Sequence, residues 1–386
     1  MNIGIDARLI NETGVGRYIR NLVREIGHQD KINEYTIFLK KKEYTSFELP
    51  NPRWKKVLAD VGWHSVSEQL IMPWLLFQAR LDLVHIPYFN IPIFYPGRMV
   101  ATIHDLTILH FDTGRATTLP WILYKLRRVG YRIALAVGLR RVRTIIAVSL
   151  TTKKEIIDHL HVQPKKIVVT YEGVDEKVSA KGGPASGWKS QKSSARNATQ
   201  SVAGGKVKSQ KRIIENPYFL YVGNAYPHKN LEMLLRAFQQ LTIDNSQLTK
   251  NLKLVLVGKD DFFYRKIKKL AASMNLGESV LYFGQADDAQ LANLYAHAIA
   301  FVFPSLMEGF GLPALEALSF GCPVIVSDIP VFHEILGSQA TYFNPQDPGD
   351  IAQKMSQNVV KPKNIILDGY SWFKLVSDTL RVYENI

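Results

Sequence analysis

The chain has 386 residues, 46% of them hydrophobic and 11% aromatic, more than one hydrophobic core usually holds, so two domains are the starting expectation. Its formal charge is +14 and its single cysteine, Cys322, excludes an intramolecular disulfide; lying between Gly321 and Pro323, that thiol reads as a structural group. The opening MNIGIDARLI lacks the basic and apolar regions of a signal peptide, and no apolar run approaches the roughly 18 residues of a membrane span, so a soluble, cytoplasmic protein is expected.

Short apolar runs alternate with helical patterns along the chain. NIGI (2–5), YTIFL (35–39), DLVHI (82–86), RMVATI (98–103), TIIAV (144–148) and IVVT (167–170) are followed by YFLYV (218–222), LKLVLV (252–257), SVLYF (279–283), IAFVF (299–303) and PVIVS (323–327). Such runs predict buried strands of parallel sheets. Ile19, Leu22, Val23 and Ile26 mark one helix face between them, and Leu231, Leu234, Leu235 and Phe238 another. The alternation predicts an α/β chain with two doubly wound domains and a ligand in the cleft they form.

The first strand leads into Asn11-Glu12-Thr13-Gly14-Val15-Gly16-Arg17-Tyr18 ahead of a helix. Glycines there let backbone amides and the positive helix end approach an anion, although a plain turn fits the same residues. As a dinucleotide fingerprint the loop fails, because Ile19 stands where a third glycine is needed. A nicotinamide-dependent dehydrogenase is therefore disfavoured.

The strand at 98–103 ends in Thr102-Ile103-His104-Asp105-Leu106. A histidine at a strand's carboxyl end can donate to a substrate hydroxyl or phosphate, with a neighbouring carboxylate such as Asp105 orienting it. A hydrogen-bonded structural histidine is the other reading. Residues 113–154 then hold ten cations and no acid, Arg115, Arg127, Arg140 and Lys154 among them, beside Trp121-Ile122-Leu123-Tyr124. Such a stretch suits an anionic membrane surface holding a lipid-linked acceptor, or a solvated helix face.

Between Lys177 and Arg212 stand nine cations and no acid, in a Gly-, Ser-, Ala- and Lys-rich segment. It has too little apolar surface to offset chain entropy and is read as a disordered insertion within a linker. With no aromatic residue but Trp188, it does not read as a nucleic-acid tail, and no nucleic acid is expected as a partner.

After the strand at 218–222 comes Gly223-Asn224-Ala225-Tyr226-Pro227-His228-Lys229-Asn230. Lys229 just precedes a helix starting near Leu231, where ammonium and helix dipole act together on an anion; a solvated lysine is the alternative. Last, MEGFGLPALEALSFGCPV (307–324) follows IAFVF, and Pro313 suits a first helical turn. Glu308 then lies in the glycine loop and Glu316 in the helix. Glu316 alone could answer to the helix dipole, worth about 0.3–1 kcal/mol, but Glu308 could not. Carboxylates accept from hydroxyls while nearby amides face phosphate. The pair is read as recognising two polyols, the hexose and the ribose of a nucleotide sugar.

GIDARLINETGVGRYIRNL, ATIHDLT, IIAVSLTTKKEI, YEGVD, YVGNAYPHKN, FGQAD, EGFGLPALEAL with its Glu-x7-Glu spacing, and YSWFKLVSDTLRVY occur in an order that resembles the family-4 (group 1) retaining glycosyltransferases of GT-B fold. The resemblance covers nearly the whole chain apart from the insertion, and in the subgroup with this N-terminal loop mannosyl- and rhamnosyltransferases of polysaccharide assembly are frequent. It implies an acceptor-side Rossmann-like domain at 1–172, a linker at 173–216, a nucleotide-sugar domain at 217–367 and a last helix, 368–386, crossing back to the first domain. His104 would contact the transferred sugar, Lys229 would neutralise the diphosphate, Glu308 would bind sugar hydroxyls and Glu316 the ribose. Gly16 would lie near the donor phosphate, and amides around Gly309, Phe310, Gly311 and Leu312 would line the sugar and phosphate site. Asn224 and the Gln285-Ala286 stretch join the donor side, the latter near the base; Gly14, Arg17 and Asp105 are acceptor-side candidates.

There are departures. Many relatives carry an arginine where this chain has His228 or Asn224, which leaves Lys229 as the fixed cation of its loop. No Asp-x-Asp triplet occurs, so neither a metal nor another cofactor is expected. The resemblance implies retention by front-face attack, with Glu308 as a covalent nucleophile the alternative. GDP-mannose is the leading donor and a glycan or lipid-linked molecule the acceptor. A GT-B nucleotide-sugar epimerase and a catalytically silent nucleotide-sugar scaffold are the rival readings.

Overall fold

The computed structural model describes residues 1–12, 14–62, 65, 67–111, 130, 132, 134–174, 212–244, 251–357, 365 and 367–386. The insertion up to residue 211 and the 113–129 part of the basic stretch lie outside the described residues. The chain divides into two compact units, Met1–Gly173 with Asp368–Ile386, and Val174–Leu367.

The first unit is built on a seven-stranded sheet: β1 (Asn2–Asp6), β2 (Glu34–Leu39), β3 (Lys55–Leu58), β4 (Leu83–Ile86), β5 (Met99–Ile103), β6 (Thr144–Ala147) and β7 (Ile167–Val169). Its order is β3-β2-β1-β4-β5-β6-β7, every pairing parallel. The order reverses at β1, so the first crossover runs to one side and later ones to the other, which leaves an opening at the strands' carboxyl ends. The unit's helices include α1 (Gly14–Gln29), α2 (Lys41–Ser46), α3 (Glu68–Gln78), the single turn α4 (Thr107–His110), α5 (Leu150–Leu160) and, from the chain's end, α12 (Trp372–Glu384). Tyr18, Ile19, Leu22, Val23 and Ile26 of α1 are buried, each aliphatic one contributing roughly 1.5–3 kcal/mol relative to exposure. Gly16 sits in the first turn of α1 because a Cβ there would fall 2.5 Å from the Ile10 carbonyl oxygen. Ser149 caps α5 by accepting from the Thr152 amide, and Ser371 caps α12 by accepting from Lys374.

The second unit holds β8 (Tyr218–Val222), β9 (Lys253–Val257), β10 (Val280–Gly284), β11 (Ala300–Phe303), β12 (Val324–Ser327) and β13 (Thr341–Phe343). The order β10-β9-β8-β11-β12-β13 is again parallel throughout and reverses at β8. Between the strands run α6 (Leu231–Asp244), α7 (Phe262–Ser273), α8 (Asp288–His297), α9 (Leu312–Ser319), α10 (Pro330–Leu336) and α11 (Pro348–Ser356). A capping box between Asp287 and Gln290 starts α8.

The two sheets match the expected α/β architecture, with two strands added. β3 (KKVL) and β13 (TYF) were not expected. Both are sheet edges, and both are partly exposed, so neither needs the continuous apolar run that marks an interior strand.

Candidate active site

In the second unit, the carboxyl ends of β8 and β11 bring two glycine-bearing loops together. β8 passes through Gly223 to a single turn, Pro227–Lys229, closed by Asn230 in the left-handed region at φ 58°. The Asn230 amide side chain donates to the Pro345 carbonyl at 2.7 Å, and the Leu306 amide donates to the His228 carbonyl at 2.8 Å. The first bond ties the Lys229 turn to the segment after β13, and the second ties it to the loop that leaves β11.

Lys229 Nζ meets Glu308 Oε1 at 2.6 Å, with the two side chains 14% and 11% exposed, and lies 5.4 Å from the centroid of the Phe303 ring. A lysine is rarely so enclosed without a charged partner, and beside a helix N-terminus its ammonium opposes the dipole. Glu308 supplies the compensating charge, and the ring adds a cation–π contact. The loop continues through the buried Gly309 and Phe310 to Gly311 and Leu312, where α9 begins. Gly311 adopts φ 90°, and a Cβ there would come 2.6 Å from the Phe332 ring; glycine is the residue that meets both demands. Pro313 occupies the first turn, as expected.

Glu316 lies one turn further along α9, 6% exposed, and accepts from the Tyr295 hydroxyl of α8 at 3.4 Å. Asn224 spends its side chain locally, its Oδ1 accepting from the Tyr226 amide at 3.3 Å, while its carbonyl accepts from Tyr221 at 2.6 Å. Gln285 is exposed in the loop after β10, just before α8. Tyr295 and Ser305 escaped the sequence reading. Ser305 is fully buried two residues beyond β11, and among the described residues its hydroxyl has no partner; serine in an apolar strand end was the available signal.

In the first unit, His104 follows β5 and is buried at 8% exposure. Its Nε2 is 3.1 Å from the Pro87 carbonyl, a hydrogen bond in the tautomer that carries the proton on Nε2. Nδ1 is 2.9 Å from Glu172 Oε1. The orienting carboxylate is thus Glu172, from the YEGVD segment after β7, and not the adjacent Asp105. Asp105 turns away to accept from both the amide and the hydroxyl of Thr107, at 2.9 and 2.6 Å, starting α4. Glu172 was not singled out because its partner is 68 positions away.

Behind His104 runs a buried polar chain. The Tyr18 ring meets the imidazole edge-on at 4.7 Å between centroids. Tyr18 Oη lies 3.1 Å from Thr102 Oγ1, which is 2.8 Å from His85 Nε2, and His85 Nδ1 is 2.6 Å from the Tyr383 hydroxyl of α12. Burial, reinforced by the nearby His104, pushes the His85 imidazole down to about 3, so His85 is neutral at pH 7.

Gly14 opens α1 on the surface, Gly16 is buried against Ile10, and Arg17 is half-buried on the same helix. Close to their loop, Arg8 escaped the sequence reading. It is 5% exposed and grips Asp6 through Nε and Nη2, at 2.8 and 2.7 Å, and Glu68 through Nη2 at 2.7 Å. Cys322 is buried, its thiol donating to the Pro323 carbonyl at 3.5 Å. Among the described residues no helix is long and apolar enough to cross a membrane.

Comparison with known proteins sets these two sites in context. Residues 13–178 match the model "Glycosyltransferase Family 4" and residues 206–363 the model "Glycosyl transferases group 1". The chain is 27% identical over 316 residues to the O-antigen chain mannosyltransferase RfbU of Salmonella typhimurium, a match covering 82% of this chain and 74% of that protein. It is 38% identical over 138 residues to the serotype-specific mannosyltransferase WbdA of Escherichia coli, covering 36% of this chain and 16% of WbdA. Among solved structures, Anabaena HepE in complex with UDP and glucose superposes with a TM-score of 0.71 at 15% identity, over 100% of both chains. The common fold is that of GT-B glycosyltransferases.

Proposed function

Because the chain belongs to the group 1 glycosyltransferases, we propose that it transfers a mannosyl group from GDP-mannose to a glycan or lipid-linked acceptor with retention of anomeric configuration. The observation that carries the donor assignment is the enclosed Lys229–Glu308 pair at the carboxyl ends of β8 and β11. A nucleotide sugar presents a diphosphate, which needs a cation, next to hydroxyls, which need acceptors; the pair offers one of each. On donor binding the ammonium turns to the diphosphate and Glu308 takes up sugar hydroxyls. As the bond from the anomeric carbon to phosphate breaks, its electrons pass to the diphosphate, and the Lys229 charge with the amides of Gly309 to Leu312 stabilises them. The attacking hydroxyl's proton leaves with the diphosphate.

Glu316 serves the ribose, its position maintained by Tyr295. His104 offers Nε2–H, now directed at the Pro87 carbonyl, to a sugar hydroxyl, with Glu172 fixing the ring. The mannosyltransferase relatives favour mannose, whereas HepE was solved with UDP and glucose. Product analysis with GDP-mannose, UDP-glucose and dTDP-rhamnose decides among them. An α-mannosylated acceptor from GDP-mannose is expected; an isomerised donor, or no turnover with any donor and acceptor, would replace this reading with the epimerase or the silent scaffold.

Peripheral binding to an anionic membrane belongs to the same proposal. It is supported by Leu70, Ile71, Trp74 and Phe77, all exposed on α3, and by Phe94, also exposed. Gln69 of α3 holds the backbone at Ile91 and Ile93, and Arg141 donates to the Tyr95 carbonyl, so a cation borders this apolar surface. Salt-sensitive flotation with anionic vesicles is expected, and absence of flotation removes this part.

A further inference from the structure

On the surface of the first unit, three ligating side chains that were given no role above converge. Glu155 and His159 are four apart on α5, which sets them one above the other on a single helix face. His110 reaches them from the end of α4. His110 Nε2 is 2.8 Å from Glu155 Oε2, and His159 Nε2 is 3.4 Å from the same oxygen. The three ligand atoms all lie within 4.8 Å of one another, and the two imidazoles stand edge to face at 4.6 Å.

We propose that His110, Glu155 and His159 form a site for a divalent transition-metal ion of the Zn2+ type. A tetrahedral ion with bonds of about 2.0–2.1 Å keeps its ligands about 3.3–3.4 Å apart. The two separations to Glu155, 2.8 and 3.4 Å, lie close to that spacing, and the two imidazole nitrogens, within 4.8 Å of each other, reach it by rotation of the histidine side chains. Two imidazoles and a carboxylate are borderline ligands that suit Zn2+ and its neighbours, and water fills the fourth position. Two imidazoles from different elements reach one carboxylate oxygen through Nε2, the convergence of ligand atoms that a chelate needs.

The ion fastens α4 to α5. α4 begins three residues after His104, and Thr152 at the start of α5 donates to the His104 carbonyl at 3.4 Å. The site therefore holds the segment that carries His104 against the helix behind it. It is a clamp on that segment and is separate from the donor-binding loops, where no metal is expected.

The test uses tag-free, chelator-stripped full chain titrated with Co2+ and then Zn2+. Wild type is expected to take up one Co2+ with the visible absorption of a four-coordinate ion, to lose that absorption to Zn2+, and to gain Tm with Zn2+. His110→Ala and His159→Ala, both at exposed positions, should weaken uptake by more than about a hundredfold without changing the metal-free Tm. Absence of four-coordinate absorption in the wild type overturns the proposal. Equal uptake by the variants also overturns it, since the ion would then sit on others of the ten histidines.

Discussion

Lys229 Nζ and Glu308 Oε1 stand 2.6 Å apart although 79 positions separate them in sequence. The contact joins the turn after β8 to the loop after β11, so the loop's cation is already paired with a carboxylate. Under the donor role proposed above, donor binding exchanges this ion pair for two sets of contacts, phosphate on lysine and hydroxyls on glutamate.

Glu308→Gln removes the competing charge and keeps the shape. GDP alone should bind more tightly, on the order of three- to tenfold, while transfer falls at least about tenfold. Lys229→Ala should weaken GDP and also lower turnover at least about tenfold, about 1.4 kcal/mol or more in the barrier. Calorimetry with GDP and initial rates check both variants. Unchanged GDP affinity in Glu308→Gln, or near-native turnover in Lys229→Ala, contradicts the exchange.

Glu172 is a positioning residue for His104. Glu172→Gln should lower kcat by roughly tenfold to a hundredfold and move its pH profile, because the ring loses the charge that fixes it. The Kd of GDP alone should stay within about twofold, since Lys229 and Glu316, proposed for the diphosphate and the ribose, lie in the other unit. An unmoved pH profile with native kcat would leave Glu172 a purely structural partner.

His85 sets a pH dependence of stability. Its imidazole resists protonation in the folded chain down to about 3, chiefly through burial, whereas an unfolded histidine titrates near 6.5. Between those values the unfolded chain binds a proton that the folded chain refuses. Stability therefore rises with pH through the window from about 3 to 6.5, by up to about 1.4 kcal/mol per unit from this group, and its contribution is level above it. Urea unfolding at pH 5, 6 and 7 of wild type and His85→Gln measures the slope. A slope between pH 5 and 6 that the variant retains in full assigns it to other groups.

Arg8 neutralises two buried carboxylates at once. Arg8→Ala leaves Asp6 and Glu68 facing each other without a cation and should cost about 3–5 kcal/mol. Denaturant midpoints check this, and a loss below about 1 kcal/mol means that water enters and solvates the pair.

The interior of both sheets was legible because the central strands are built on apolar runs, as in LVLV of β9 and AFVF of β11. β3 and β13 were not, since an edge strand is half solvated and carries residues such as Lys55 and Thr341 that read as loop. At the site, Lys229 and Glu308 were marked by glycines, a helix start and a proline beside them, all local signals. Their contact was not legible, nor was Glu172 as the partner of His104. The first pairing joins the ends of β8 and β11, neighbours in the sheet but distant in the chain, and the second reaches from β5 to β7 with β6 between them; a single sequence carries no trace of which strand lies next to which. Asp105 misled for the same reason: adjacency suggested it as the partner, while its carboxylate was engaged in starting α4.

The measurement that bears most directly on donor recognition is thermal stabilisation of the full chain by GDP-, UDP-, ADP- and dTDP-sugars, with Glu316→Ala alongside. At 100 times its dissociation constant the true donor should stabilise the fold by about 2.7 kcal/mol. GDP-mannose is expected to give that shift selectively, and Glu316→Ala, measured against its own baseline, is expected to lose most of it. No shift with any sugar nucleotide, or a full shift in the variant, would contradict donor recognition by the β8 and β11 loops with Glu316 on the ribose.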